Sequence, residues 1–207
     1  MPNWCNNSVT ITHEDPAKMT ALVEAMNANK FCNFAIPVPT ALSETISGSF
    51  SDAEKQAELE RQTLNNIQLH GYGNWYDFCV NRWGTKWEVD TQGSVDVDEQ
   101  TVTASFDSAW SPPCGVYEAL VEQGYDVVAY YYEPGMGYLG KWDNGIDESY
   151  DISSETSKTV RAVIGAELDD MFNISESMAE YEEENEDTEE LTEWIKDGVT
   201  ARTEDAK

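Results

Sequence analysis

Thr101-Val102-Thr103-Ala104-Ser105-Phe106-Asp107-Ser108-Ala109-Trp110-Ser111-Pro112-Pro113 decides the reading of this chain. Through Ser108 it alternates, with Val102, Ala104 and Phe106 facing one way, the period of a half-buried strand. Ser111-Pro112-Pro113 then opens a helix, where a proline loses nothing by lacking an N–H. That helix runs to Gln123, with Val116, Leu120 and Val121 on its buried side and Gly124 closing it. Asp126 to Tyr132, β-branched and aromatic, is the next strand, and the Gly- and aromatic-rich stretch Met136 to Asp143 reads as a closing hairpin or bulged edge strand.

Working back toward the N-terminus, Asn7 to Thr12 alternates around Val9 and Ile11 and reads as a strand. Asp15-Pro16 supplies an N-cap acceptor and a first-turn proline for a helix that carries Met19, Leu22, Val23 and Met26 on one face and ends near Asn29. Phe34 to Pro39, with Pro37 and Pro39, reads as an edge or extended segment. Ser51 to Leu64 reads as a surface helix within an insertion around 40–70. Asn74 to Arg82 sets Trp75, Phe78, Cys79 and Arg82 at helical spacing, with Gly84 as terminator. Trp87 to Asp90 and Ser94 to Asp98 read as strands, joined by turns at Gln92-Gly93 and Asp98-Glu99. The order strand, helix, two or three strands, helix, strand predicts an α+β fold, a ferredoxin-like split βαβ sandwich with helices on one face of an antiparallel sheet, over residues 1–150. Residues 151–207 are expected to form an acidic extension, helical or partly disordered. In it Val160, Val163, Ile164, Leu168, Met171 and Phe172 sit at helical spacing and call for an apolar dock.

The chain carries 40 acidic against 12 basic residues, a formal net charge of -28, with the densest acid near its C-terminal end. Such a field excludes nucleic acid and anionic membranes as direct partners and draws basic surfaces. A hydrophobic content of 40%, with 7 Trp, 10 Tyr and 6 Phe, places that charge on a chain that folds. No apolar run approaches the roughly 18 residues of a membrane helix, and no signal-peptide pattern opens the chain, so a cytoplasmic protein is expected. Cys5, Cys32, Cys79 and Cys114 include no Cys-x-x-Cys pair and read as small buried hydrophobes rather than metal ligands; no cofactor is expected.

Four separated motifs carry a likeness: Met1-Pro2-Asn3-Trp4-Cys5-Asn6-Asn7, Trp83-Gly84-Thr85-Lys86-Trp87, Phe106-Asp107-Ser108-Ala109-Trp110-Ser111-Pro112-Pro113 and Tyr132-Glu133-Pro134-Gly135. Together and in this order, over residues 1–145, they resemble the YubB-type ferredoxin-like domain family of bacteriophages and mobile elements, also called Api-type proteins. The resemblance implies a ferredoxin-like fold and a phage or plasmid source, hence a host-cell cytoplasm. It implies no activity, and the acidic stretch from about Ile152 lies outside it.

Two candidate surfaces follow. Glu180, Glu182, Glu183, Glu184, Glu186, Asp187, Glu189, Glu190 and Glu193 on a helix rising about 1.5 Å per residue approach the charge spacing of duplex DNA, about one per 1.7 Å. Trp194 and Ile195 follow as an anchor. This predicts a non-enzymatic inhibitor that occupies the nucleic-acid groove of a basic host protein. The alternatives are an acid tail that only solubilises, and a halophilic source, to which Glu54, Glu58, Glu60, Asp96, Asp98 and Glu99 also point. The second surface is an interaction module built from Trp83, Lys86, Trp87, Trp110 and Glu133. The same aromatics could instead wedge helices onto the sheet. Asp107 with Glu133 could imitate a paired-carboxylate centre, but no Ser-His-Asp, Walker or GxGxxG pattern occurs and no enzyme is expected.

Overall fold

The alternation at the N-terminus is realised as β1 (Trp4–Thr12) in the computed structural model of the chain, which describes residues 3–91, 95–98 and 100–185. Helices α1 (Pro16–Asn27), α2 (Phe31–Ala35), α3 (Thr40–Ser43), α4 (Ala53–His70) and α5 (Trp75–Arg82) follow, then β2 (Asp96–Asp98), β3 (Thr101–Ala109), α6 (Cys114–Glu122) and β4 (Asp126–Glu133). The strands β5 (Tyr138–Asp143) and β6 (Ile146–Asp151) and the helix α7 (Val160–Phe172) complete the labelled elements, and a further helix covers 174–185. The chain divides into two compact units after Ser149, inside β6.

Local chemistry places the helix starts. Asp15 accepts from Ala17 N–H ahead of Pro16, Asp52 accepts from Glu54 and Lys55 N–H, and Asn74 accepts from Asp77 N–H. Each cap satisfies a first-turn donor that has no intrahelical partner, worth about 1 kcal/mol. Three elements differ from expectation. Phe34 lies in α2 rather than in an extended segment, and the surface helix reaches His70. Trp87 to Asp90 is no strand, because Glu88 turns away to cap α2, accepting from Cys32 N–H at 2.6 Å and Asn33 N–H at 3.0 Å. The expected Gln92-Gly93 turn lies outside the described residues.

The sheet order is β2-β3-β1-β4-β5-β6, and β1 pairs antiparallel with both β3 and β4. The order strand, helix, two strands, helix, strand is present from β1 to β4, with α1 to α5 between β1 and β2; β5 and β6 extend the sheet beyond it. Val9, Ile11, Val102, Ala104, Phe106, Val127 and Ala129 form the inner face and pack with Met19, Leu22, Met26, Phe31, Phe78, Val116, Tyr117 and Leu120 from the helices. Asn7 also points inward. Its amide donates to Cys5 O at 2.8 Å and Ser108 Oγ at 2.8 Å, and its oxygen accepts from Tyr117 Oη at 3.3 Å. A buried amide is tolerated only when so satisfied.

The second unit has its own polar ties. Helix α7 breaks at Gly165, whose φ of 80° and ψ of 167° suit glycine alone. Val160, Ile164 and Leu168 are buried as a narrow i, i+4 row, whereas Val163 and Met171 are exposed. Asp169 is buried and accepts from Ser175 N–H, Ser175 Oγ and Arg161. Burial raises its pKa, but these donors outweigh it and hold the carboxyl below the ordinary range.

The start of α6 lies against the end of α5: Gly115 N–H donates to Trp83 O at 3.2 Å, and a Cβ on Gly115 would land on the Arg82 carbonyl oxygen. Gly115→Ala is therefore expected to lose about 2 kcal/mol in urea denaturation. Gly48→Ala, whose Cβ meets only Ile46 Cγ2 at 3.8 Å, serves as the control and moves stability by less than about 0.5 kcal/mol. For Asp169, a depressed folded pKa means stability present above the unfolded carboxyl's pKa and lost as pH falls through the folded value. The stability gap between wild type and Asp169→Asn should then be about 1–2 kcal/mol near neutral pH and narrow progressively once the pH falls below the ordinary carboxyl range, read by thermal melts across pH.

Candidate functional site

Because β1 runs antiparallel to both neighbours, its first residues lie beside the last residues of β3 and β4. The register pairs Trp4 with Ala109, and Asn6 with both Asp107 and Tyr132. All four sequence motifs therefore meet at one end of the sheet, and backbone bonds lock them there. Trp110 N–H donates to Asn3 O at 2.9 Å, Thr85 Oγ1 bonds Ala109 O at 3.0 Å, and Ser111 Oγ donates to Gly84 O. Tyr138 Oη donates to Trp110 O at 2.6 Å.

Held on both sides, Trp110 adopts φ of 70°, a left-handed conformation that a bulky side chain rarely takes. Such strain, about 1–3 kcal/mol, persists only where the surroundings over-determine it. Here it aims an indole outward. Trp110 is 40% exposed, Trp4 46% and Trp87 38%. The Trp4 and Trp87 rings are 6.1 Å apart, and Tyr76, on α5, meets Trp110 edge-on at 6.3 Å. Lys86 Nζ lies among them, 4.3 Å from the Trp87 centroid, 5.2 Å from Trp110 and 5.6 Å from Tyr76. Each distance is within cation–π range.

Of the aromatic set expected from sequence, Lys86, Trp87 and Trp110 come together here. Trp83 and Glu133 do not present themselves. Trp83 is buried, with its indole Nε1–H donating to Ile36 O at 2.9 Å, and so wedges α5 onto the core. Glu133 is 1% exposed and accepts from Gly135 N–H and Met136 N–H, clamping the Pro134-Gly135 turn. Trp4 and Tyr76 were not singled out by sequence. Their signals were present: Trp4 falls on the outward parity of β1, and Tyr76 lies off the Trp75-Phe78-Cys79-Arg82 stripe of α5.

Asp107 and Glu133 occupy opposite faces of the sheet. Asp107 is exposed and accepts from Asn6 Nδ2 at 2.7 Å, while Glu133 continues the inward row of Val127, Ala129 and Tyr131. They form no paired-carboxylate centre, and Lys86 makes an ion pair with neither. Burial pushes the Cys5, Cys79 and Cys114 thiols up to about 12 and raises Cys32 well above the ordinary thiol range, so they are protonated packing groups. Among the described residues no three His, Cys, Asp or Glu side chains cluster as metal ligands, and no helix is long and apolar enough to cross a membrane.

On the helix over 174–185, Glu180, Glu183 and Glu184 are exposed. Glu182 is committed elsewhere: its carboxylate accepts from Ser157 N–H at 2.9 Å and Ser157 Oγ at 2.7 Å, which lowers its pKa. Glu186, Asp187, Glu189, Glu190, Glu193 and Trp194 lie outside the described residues.

Trp110→Gly should be more stable than Trp110→Ala by about 1 kcal/mol, since both lose the indole but only glycine relieves the left-handed backbone. Paired urea titrations measure this, and equal stabilities would mean that the φ of Trp110 carries no strain.

No protein-family model matches the chain, and no curated protein does. Among solved structures, the chain is similar to a protein api92 from Yersinia pseudotuberculosis, of the DUF1281 family, with 11% identity and a TM-score of 0.40 over 73% of this chain and 98% of that one.

Proposed function

We propose that this chain is a non-enzymatic binding protein that captures a basic protein through the aromatic end of its sheet. The observation that carries this reading is the exposed group of Trp4, Trp87 and Trp110 around Lys86, held outward by backbone bonds and a strained Trp110. Rigid, half-exposed tryptophans are the side chains that dominate binding energy in protein interfaces, because they bury much area at little entropic cost. The net charge of -28 adds long-range attraction to a basic partner and speeds its approach. Asp107 and Glu133 on opposite faces, together with protonated thiols, lend no support to acid–base or nucleophilic chemistry. On the YubB-type resemblance, the partner is a host-cell protein and the setting a host cytoplasm.

A second reading keeps the acid block as a phosphate-like surface that fills a nucleic-acid groove. The exposed Glu180, Glu183 and Glu184 favour it. Glu182 does not contribute freely, being tied to Ser157.

The two readings separate in a capture experiment on host-cell lysate with three proteins: full length, Trp87→Ala/Trp110→Ala, and a truncation after Asn185 that spares the Ser175 and Glu182 ties. Loss of a basic partner in the tryptophan variant, with capture retained by the truncation, is the expected result. The reverse pattern, with binding abolished by DNA competitor, would move the function to the acid block.

A further inference from the structure

Resting on the aromatic-end reading, we propose that this face receives an arginine or lysine side chain of the basic partner, and that Lys86 is an internal stand-in for that cation in the free protein. Four observations meet here. First, the face already binds a cation: Lys86 Nζ is 4.3, 5.2 and 5.6 Å from three ring centroids supplied by β3's end, α5 and the segment after α5. Ring faces carry partial negative charge and hold either an ammonium or a guanidinium, the latter more often. Second, among the described residues Lys86 makes no ion pair or hydrogen bond to a carboxylate that would be broken on leaving, and ring contacts hold it. Third, Trp4 adds a further exposed ring, 6.1 Å from Trp87.

The fourth observation is a carboxylate in the right place. Asp107 lies on the same outer face as Trp4, one diagonal step away, since Trp4 pairs with Ala109 and Asn6 with Asp107. Diagonal neighbours on an antiparallel pair stand about 7–8 Å apart, within reach of one long side chain. Among the described residues the Asp107 carboxylate accepts a single side-chain hydrogen bond, from Asn6 Nδ2, and its position on β3 is exposed. A guanidinium stacked on the tryptophans can therefore place its N–H fork on Asp107, a charge-assisted geometry that arginine suits better than lysine. The aromatic faces exclude an anionic occupant, and the chain's net charge of -28 repels one at range.

If Lys86 is a competitor for the guest's position, removing its charge tightens binding; if it is a contact to the guest, removing it weakens binding. The full-length chain, its Lys86→Met and Trp110→Ala variants, and Asp107→Asn are titrated with tetramethylammonium chloride, following tryptophan fluorescence against sodium chloride of equal ionic strength. Saturable quenching is expected in the wild type, about three- to tenfold tighter in Lys86→Met and lost in Trp110→Ala. Lys86→Met keeps the methylene stem, and near-wild-type thermal melts verify that it folds. Quenching no different from sodium chloride in both wild type and Lys86→Met overturns the proposal.

A partner captured as above supplies the second arm. Capture enhanced by Lys86→Met and reduced by Asp107→Asn supports a cationic guest. Capture that needs Trp87 and Trp110 but is weakened by Lys86→Met overturns the cation proposal while leaving the aromatic end as the binding surface. Capture indifferent to both tryptophans removes the surface itself, whatever tetramethylammonium does.

Discussion

The register of β1 between β3 and β4 is the constraint on which the molecule depends. It is enforced from within by Asn7, an amide on the inward row whose bonds to Cys5 O, Ser108 Oγ and Tyr117 Oη exist at one alignment only. A slip of one residue would turn Val9 and Ile11 to solvent and leave that amide buried without partners, so the alternative is closed by both apolar and polar terms. The same alignment carries Trp4 to Ala109 and thereby decides which loops share the far end. The aromatic surface is thus a by-product of strand pairing. Its side chains come from β1, α5, the segment after it and the end of β3, and beyond the adjacent Lys86–Trp87 pair each contact joins two of these segments.

At that end, backbone bonds position and side chains face outward. Asn3, Thr85, Ser111 and Tyr138 are spent on main-chain partners, which frees Trp4, Trp87 and Trp110 from structural duty at their exposed edges. Trp83 and Glu133 show the opposite assignment within the same motifs, one wedging α5 and the other closing a turn. Exposed and framework side chains alternate along only a few residues. This is how a chain of -28 net charge gathers an aromatic, cation-holding cluster at one end of its sheet.

Much of the fold was legible where the signal was local. Asp15-Pro16, Asp52 and Asn74 start helices because a cap needs only its own first turn, and β3 reads true because one face is buried and the other wet. What failed was non-local. Trp87 to Asp90 has strand-like residues, yet Glu88 is drawn off to cap α2, fifty-six residues earlier in the chain at Cys32. Asn7 shares the inward parity of Val9 and Ile11, but Ser108 and Tyr117, which let an amide sit in the core, lie about a hundred residues away. In the acid block, Glu182 was indistinguishable from its neighbours until Ser157 claimed it.

Sequence by itself determined the charge, the capped helix starts and the alternating strands, and the motifs that meet at one end of the sheet, because composition, capping and period are properties of short stretches. Which residues lie exposed together at one end of the sheet was decided by tertiary structure alone. Exposure, the left-handed Trp110 and the ring cluster around Lys86 arise from bonds between segments up to about a hundred residues apart, as between Asn7 and Ser108, and no periodicity along one segment encodes them.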